Sequence, residues 1–443
     1  INIVISRSYG PGRYDPSYEE KGNDYPLSYV RFTEQRNMET FLSLLSQKKL
    51  DLKNLITHRF TLDEAATAYQ LIEGKKTEPY LGILLSYNSK TFDKNSSDLI
   101  KINPTKVDND KIKISFYGAG NYATATLIPL MKDSGKVSFN GLVTATGMSA
   151  QSVAKKFDFS YCASDYKEIL NDKNDVVAIT TRHDTHSKAI CNALAANKNV
   201  YVEKPLALSV SELEDIHKAY TDNAKSQIMV GFNRRFAPST NEIIQHFESV
   251  KSPLVINIRV NAGFIPADHW TQDAQEGGGR MIGEGCHFID LASAITKSNV
   301  KTIYAVGSSK EEKSALLNDN LCLSLTFENG SIANITYTAD GSKAMSKEHI
   351  EVFGGGRSAQ IKDFKEILLF DGDKKVKDKK LGSQDKGQKS MIDSWLKGIQ
   401  NGEPCIDYNS LMQTSLATIL SIESLSIGMP LDVDSKLYKI KSS

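Results

Sequence analysis

Residues 114–123, which read ISFYGAGNYA, decide the fold of most of this chain. Four strand-like residues run directly into a glycine turn at 118–120, and an apolar helix-like segment follows it. Glycines in such a turn allow the backbone to approach a negatively charged group at the N-terminus of a helix. The pattern G-x-G-x-x-A between a strand and a helix is typical of a dinucleotide-binding βαβ unit.

Strand-like and helix-like segments alternate around this turn. The predicted strands are 112–117, 137–144, 175–180 and 199–202, and the predicted helices are 121–132, 149–157 and 184–197. Such alternation favours a parallel sheet, because parallel strands require crossover connections that are usually helical. We therefore predict an α/β fold with a doubly wound Rossmann domain over residues 111–233.

Residues 234–443 follow a different pattern, with longer β-rich segments at 253–261, 301–308, 320–327, 331–338, 348–353 and 359–370. The sequence ENGS at 328–331 is typical of a hairpin turn. Two helices are predicted at 390–400 and 408–426. This half is expected to be an α/β domain with a large open, mainly antiparallel sheet.

The chain begins with a mixed α/β segment, residues 1–88, followed by a linker, residues 89–110, that is rich in Ser, Asn, Asp and Lys. It starts at Ile1 without an initiator Met, and we expect it to be part of a longer protein.

Composition narrows the class of partner. The 443 residues carry 54 Lys and Arg against 53 Asp and Glu, so no basic field favours nucleic acid or a membrane surface. The apolar runs are strand-sized, and the five cysteines are dispersed without metal-binding or redox spacing. A small-molecule partner, no metal and a reducing cytoplasm are expected.

The glycine turn supplies the first candidate cofactor contacts: Gly118, Gly120, Asn121 and Tyr122. A NAD site usually has Asp or Glu at the end of the second strand, where it binds the ribose hydroxyls. Residues 137–157 contain no such acid.

The remaining candidates for the ribose end leave NAD and NADP both open. Thr144, Thr146 and Ser149 are candidate ribose partners, and Lys155 or Lys156 is a candidate partner for a 2′-phosphate. A solvated helix face is the alternative interpretation of the two lysines.

A second motif, Glu203-Lys204-Pro205, follows the predicted strand 199–202. It falls at the carboxyl edge of the sheet, where doubly wound folds bind ligands. Proline restricts the chain before it, so the Lys204 side chain is held in an extended turn.

These motifs together resemble the Gfo/Idh/MocA oxidoreductases over about residues 111–443. The resemblance rests on GAGN at 118–121, Thr180-Thr181 with His186 after them, EKP at 203–205, GFNRRF at 231–236, and 277–290 from the glycine run to Asp290. It implies bound NAD or NADP, an open sheet that often forms homo-oligomer contacts, and a lysine, here Lys204, that orients the reacting hydroxyl. It also makes Thr180, His186, Glu203 and Lys204 candidate cofactor residues.

The resemblance implies a second catalytic residue, His287, which exchanges the proton as hydride moves to or from nicotinamide. An imidazole suits this role because its ordinary pKa lies near neutrality. The family usually has Asp four residues before this histidine, whereas this chain has Gly283 there and an acid, Glu284, one place later. Glu284 is therefore only a candidate substrate contact.

Other candidate substrate contacts come from the same resembling segments. They mix aromatic, charged and amide groups, as sugar sites do: Asn233, Arg235, His269, Trp270 and Asp290.

The N-terminal segment resembles the C-terminal end of zinc-type medium-chain alcohol dehydrogenases, through SRSYGPGRYD at 6–15, LITHRF at 55–60 and EAATAY at 64–69. Residues 1–88 contain no cysteine, so this part is not expected to bind zinc by itself. The order of the two resemblances matches bidomain oxidoreductases linked to surface-polysaccharide metabolism.

The sequence thus predicts an enzyme that transfers hydride between NAD(P) and a secondary hydroxyl of a sugar, cyclitol or nucleotide sugar. Two alternatives stay open. One is glycoside cleavage assisted by a tightly bound cofactor, and the other is a non-catalytic cofactor-binding module.

Overall fold

The computed structural model describes residues 10–20, 22–75, 77–87, 99–103, 108, 110–144, 147–223, 225–308 and 318–433, except for the side chains of 147–149. Contacts divide the chain into two units, Ile1–Ser96 and Ser97–Ser443. The four-part division drawn from the sequence stays a prediction. Within its linker, residues 100–101 form a short edge strand of the second unit's sheet.

The first unit contains a small α/β arrangement close to the prediction. Its elements are α1 (Pro16–Glu19), α2 (Glu34–Ser46), β1 (Ile56–Thr61), α3 (Ala65–Ile72) and β2 (Gly82–Ser86). Strands β1 and β2 pair in parallel, and α3 buries Ala68 and Leu71. Part of the quoted stretch 6–15, residues 6–9, lies outside the described residues.

The first sheet of the second unit confirms the predicted Rossmann architecture. Its elements are β3 (Ile100–Lys101), β4 (Ile112–Tyr117), α4 (Ile128–Asp133), β5 (Val137–Val143), α5 (Gly147–Phe157), β6 (Tyr161–Ala163), α6 (Lys167–Leu170), β7 (Val176–Ile179), α7 (His186–Ala195), β8 (Asn199–Val202), α8 (Val210–Asp222) and β9 (Ile228–Val230). The strand order is β3-β6-β5-β4-β7-β8-β9, and all pairs except β3 with β6 are parallel. The central strands are buried on both faces, which explains their continuous apolar runs.

The second sheet of the same unit has nine strands and is mainly antiparallel, as predicted. Its elements are α9 (Pro238–His246), β10 (Val255–Asn261), α10 (Cys286–Thr296), β11 (Val300–Gly307), β12 (Asn320–Phe327), β13 (Ile332–Thr338), β14 (Glu348–Gly354), β15 (Arg357–Lys362), β16 (Glu366–Asp371), β17 (Lys374–Lys380), α11 (Gln388–Asn401), α12 (Tyr408–Ile427) and β18 (Leu431–Asp432). The strand order is β17-β16-β15-β14-β10-β13-β12-β11-β18, with β10 and β13 parallel.

Two details of this sheet differ from or refine the prediction. The hairpin at 328–331 is confirmed between β12 and β13. The predicted strand 359–370 is wrong as one element, because the chain turns at Asp363 and Phe364, both with φ +53°, and separates β15 from β16. Neither Gly nor Pro marks that turn in the sequence.

One face of the nine-stranded sheet is buried and the other is exposed, as the alternating burial along β12 and β13 shows. Helix α12 packs along β11, and α10 lies against α12. None of the described helices is long and apolar enough to cross a membrane.

Candidate active site

The glycine turn after β4 is pressed against the end of β7. Gly118 has φ +100°, and a Cβ there would lie 2.7 Å from the carbonyl carbon and oxygen of Thr180. The Thr180 hydroxyl donates to the Gly118 carbonyl at 2.9 Å. At Gly120, by contrast, a Cβ would meet nothing within 4 Å. The turn therefore presents bare backbone to open space, which is what a bound pyrophosphate requires.

A cavity of about 920 Å³ opens beside this turn, and we call it the main cavity. Its size is within the range of small-molecule and cofactor sites. Eight predicted cofactor residues line it: Gly118, Gly120, Asn121, Tyr122, Thr144, Thr180, Glu203 and Lys204. The lining thus fits a dinucleotide with its phosphates at the glycine turn.

His186, a further predicted cofactor residue, does not line the main cavity. Its ring is fully buried, with Nδ1 2.7 Å from the Pro205 carbonyl and Nε2 3.3 Å from the Thr181 carbonyl. It therefore joins the loops after β7 and β8.

The ribose end of the main cavity lacks a carboxylate from β5, as the sequence indicates. Thr144 follows that strand and lines the cavity. Lys155 and Lys156 are exposed on α5 and do not line it. Thr146 and the Ser149 side chain lie outside the described residues.

A smaller cavity of about 220 Å³ adjoins the main one, and we call it the small cavity. It is lined by the glycine-rich segment 279–287, by Ile265 and by Thr271. Five residues line both cavities: His183, Lys204, Arg234, Trp270 and His287. The two predicted catalytic residues therefore stand in the wall that the cavities share.

Lys204 reaches this wall from the loop after β8. Its ammonium donates to the Gly283 carbonyl at 2.8 Å. Gly283 belongs to a π-helical turn, Met281–Gly285, and such turns recur at functional sites. The ammonium has two further protons for other acceptors.

Glu203, next to Lys204, is a largely buried carboxyl group. Burial raises its pKa, although the Tyr201 hydroxyl donates to it at 2.7 Å. A Cβ at Gly231 would lie 2.9 Å from its oxygens, so a glycine on the loop after β9 leaves room for this group.

His287 stands at the second position of α10 and is 6% exposed. Its Nδ1 atom is buried and has no hydrogen-bond partner among the described residues. Burial lowers its pKa well below the ordinary value, and the charges of Arg234 and Lys204 lower it further. The imidazole is therefore uncharged near pH 7.

Glu284 does not occupy the place of the missing acid at position 283. Its carboxylate accepts bonds from Lys347 and Tyr337, both at 2.6 Å, and from Arg280 at 2.8 Å. Burial would raise its pKa, but Lys347 and the hydrogen bonds outweigh that effect and lower it. Glu284 lines the small cavity as an ionised group fixed in the wall.

Arg235 and Asp290, predicted as substrate contacts, line neither cavity, and this prediction is corrected. They bind each other through two bonds of 2.9 and 2.5 Å, with Asp290 fully buried. The planar guanidinium matches a carboxylate in this bidentate geometry, so the pair joins the segment after β9 to α10.

The adjacent residue, Arg234, lines both cavities and was missed by sequence reasoning. It makes two 2.9 Å bonds to buried Glu348, which also accepts from Lys386 at 2.7 Å. Lys386 lines the main cavity as well. Arg234 lies in the GFNRRF stretch, but the sequence does not show its pairing with Glu348 and Lys386, because these two come from distant segments.

Of the remaining substrate candidates, two line a cavity and one does not. Trp270 lines both cavities, and Asn233 lines the main cavity while its amide donates to the Lys386 carbonyl at 2.7 Å. His269 is exposed, lies close to the Thr271 hydroxyl and lines neither cavity. His183, which lines both, was missed, although it lies in the loop at the carboxyl end of β7.

The described residues contain no group of His, Cys, Asp or Glu that could hold a metal ion. Fold and site together define the class: a dinucleotide-binding Rossmann protein with a second α/β domain and a polar cavity beside the cofactor cleft.

Comparison with known proteins gives the family. Residues 112–232 match the model described as oxidoreductase family, NAD-binding Rossmann fold, and residues 252–359 match the GFO/IDH/MocA C-terminal domain. Together these cover more than half of the chain. The chain belongs to the Gfo/Idh/MocA oxidoreductase family.

Relatives agree with this assignment. The chain is 26% identical to the uncharacterised oxidoreductase YrbE of Bacillus subtilis over 298 residues, which cover 64% of this chain and 86% of the relative. It is 33% identical to inositol 2-dehydrogenase of Salmonella paratyphi B over 144 residues, 32% of this chain and 41% of that enzyme.

Solved structures share the fold. A levoglucosan dehydrogenase in complex with NADH and levoglucosan superimposes with a TM-score of 0.64 at 18% identity, over 73% of this chain and 99% of that one. Neither family model matches any residue before 112, so they give no support to the alcohol-dehydrogenase-like prediction for residues 1–88.

Proposed function

We propose that this protein reversibly oxidises a secondary hydroxyl of a sugar or cyclitol with NAD(P)⁺. The observation that carries the proposal is the shared wall, in which Lys204 and His287 face both the dinucleotide cleft and the small cavity. Relatives named inositol 2-dehydrogenase and levoglucosan dehydrogenase support a polyol substrate.

The chain's own groups suit the proton chemistry of this reaction. As the carbinol carbon loses hydride and a C=O bond forms, the hydroxyl proton passes to the neutral His287 imidazole. Lys204 donates a hydrogen bond to the same oxygen and stabilises the negative charge that develops there. NAD(P)⁺ bound along the glycine turn supplies the hydride acceptor.

Several finer statements belong to the same proposal. Cofactor preference between NAD and NADP stays open, since Thr144 stands where a ribose-binding carboxylate is usual. A nucleotide sugar and a role in surface-polysaccharide metabolism are suggested by the predicted bidomain organisation. The proposal also includes a homo-oligomer that forms through the exposed face of the nine-stranded sheet. It places the protein in the cytoplasm.

The direct test is NAD(P)H formation, followed by absorbance, from purified protein with NAD⁺ or NADP⁺ and a panel of myo-inositol, levoglucosan, hexoses and nucleotide sugars. We expect turnover with at least one member of the panel. Tight NADH binding without any turnover would instead favour a binding module. Release of a sugar from a glycoside without net change in NAD(P)H would favour cofactor-assisted cleavage.

A further inference from the structure

The space beside Gly283 is filled by the imidazole of His183. A Cβ built on Gly283 would lie 3.1 Å from Cε1 and 3.7 Å from Nδ1 of that ring. Gly283 has no positive φ, so its backbone would accept another residue, and the obstacle is the neighbouring ring. The chain therefore lacks the usual acid at position 283 and has an imidazole where a side chain from that position would begin.

Contacts fix which atom of His183 is available. The Nδ1 atom lies 2.7 Å from the Gly277 carbonyl, which can only accept, so Nδ1 carries the proton. In a neutral ring Nε2 then has a free lone pair. Nε2 makes no hydrogen bond within the part of the chain that the structure describes, and the ring lines both cavities.

The ring is held firmly in this orientation. Trp270 packs edge-on against it with ring centroids 4.8 Å apart. The neighbouring Arg182 binds the Glu276 side chain, and the Asp184 N–H donates to the Glu276 carbonyl. Three successive residues are therefore bound to residues 276–277. Burial and the charge of Lys204 lower the pKa of His183 to about 3, which keeps the ring neutral.

We propose that His183 is a further catalytic residue, which supplies through Nε2 the substrate hydrogen-bond acceptor that the chain lacks at position 283. The acceptor binds a hydroxyl of the polyol in the small cavity, beside Lys204 and His287. This role rests on the proposed function, and it makes the loop after β7 part of the substrate site.

Two substitutions separate the two ring nitrogens. His183→Asn places an amide donor near the Gly277 carbonyl but has no atom at the Nε2 position, whereas His183→Gln places an amide oxygen near that position. With the best substrate of the panel, we expect His183→Asn to lower kcat/KM by about tenfold to a hundredfold and His183→Gln to lose much less. NADH affinity, measured by fluorescence, should be unchanged in both.

A merely structural ring gives the reverse order, because the Gly277 bond would then be the one that matters. Greater activity in His183→Asn than in His183→Gln, equal losses in both, or no loss in either overturns the proposal. His349→Asn, on strand β14 and lining neither cavity, is the matched control and should leave kcat/KM unchanged.

A reciprocal pair tests the shared space without relying on turnover alone. Gly283→Asp by itself should lower the thermal unfolding midpoint, because its Cβ meets the His183 ring. In the His183→Ala background the same change should be tolerated and should recover part of the lost kcat/KM. An equal loss of unfolding midpoint in both backgrounds would show that the two positions do not compete.

Failure of the proposed function looks different from failure of this inference. If the wild-type protein turns over no member of the panel, the proposed function is refuted, and the proposed role of His183 is refuted with it. If the wild type turns over a substrate and His183→Asn equals it, only the role of His183 is refuted.

Discussion

The pKa of the buried His287 imidazole is lowered first by burial and then by four cations: Arg234, Lys204, Lys386 and Lys347. Each of them disfavours a positive charge on the ring, so His287 is uncharged near pH 7. Two of the four are paired with Glu348, and Lys347 is paired with Glu284. Lys204, in contrast, donates to a neutral carbonyl and forms no ion pair with a carboxylate among the described residues.

Replacing Lys204 should therefore affect chemistry more than cofactor binding. We expect Lys204→Ala to lower kcat by about a hundredfold or more, since a positioned proton or hydrogen-bond donor typically contributes that much. NADH affinity by fluorescence titration should change little. Lys188→Ala, an exposed lysine on α7, is the control and should behave like wild type. Full activity in Lys204→Ala would refute the assignment.

The buried histidines also make folding stability depend on pH. The pKa of His183 falls from an ordinary 6.5 to about 3 in the folded protein, so below pH 6.5 the unfolded chain binds a proton that the folded one does not. Its stabilising contribution is complete above pH 6.5 and is lost as pH falls toward 3. His186 and His287 act in the same direction, and Glu203 and Asp290, with raised pKa values, act in the opposite one.

Comparing wild type with His183→Asn isolates one histidine from this sum. Between pH 7.5 and 5.5 the wild type should lose about 1.4 kcal/mol more unfolding free energy than the variant. Urea unfolding at three pH values across this range measures the difference. Parallel curves for the two proteins would contradict a neutral, buried His183.

At the level of elements, local patterns predicted what local physics determines. The strands 112–117 and 199–202 have the predicted bounds. Buried parallel strands that end near a glycine or proline can be recognised from the sequence alone. The site was predicted less completely. The Arg235–Asp290 and Arg234–Glu348 pairs depend on contacts between distant segments. The sequence alone does not show which of two neighbouring arginines lines a cavity and which forms a buried ion pair away from it.

The π-helical turn at 281–285 is a further feature that pattern alone did not predict. No helix was predicted over this segment, and its residue pattern does not show that the turn widens and directs a carbonyl toward Lys204. His183 was missed for a related reason. The proposed role of His183 depends on Gly283, which has no side chain and lies beside the His183 ring although it is distant in the chain.

The turn between β4 and the following helix gives a matched pair of glycine variants. Gly118→Ala should destabilise the second unit by roughly 2 kcal/mol or more, because its φ is +100° and its Cβ would press on the Thr180 carbonyl. Gly120→Ala should leave unfolding unchanged and weaken NADH binding, because its Cβ points into open space. Thermal unfolding and NADH fluorescence measure the two effects, and the same phenotype in both variants would contradict this division.

At the scale of the whole molecule, the exposed face of the nine-stranded sheet carries an apolar row across three adjacent strands. Phe353, Val255 and Ile332 are register partners on β14, β10 and β13, and they are 36%, 39% and 42% exposed. Contiguous apolar side chains on an open sheet are typical of association surfaces. A second copy of the chain is the partner we expect, because closed homo-oligomers bury the same surface of each copy.

This expectation makes the last prediction, which concerns mass in solution. Light scattering after size exclusion should give a multiple of the 49.0 kDa chain, and Ile332→Glu should shift it toward the monomer, because burying an unpaired carboxylate within the row is costly. Ile427→Glu, at the end of α12 and 51% exposed, adds the same charge on a helix instead of the sheet face and should leave the mass unchanged. A wild-type protein that elutes as a monomer, or an Ile332→Glu variant with wild-type mass, would show that the sheet face is not the interface.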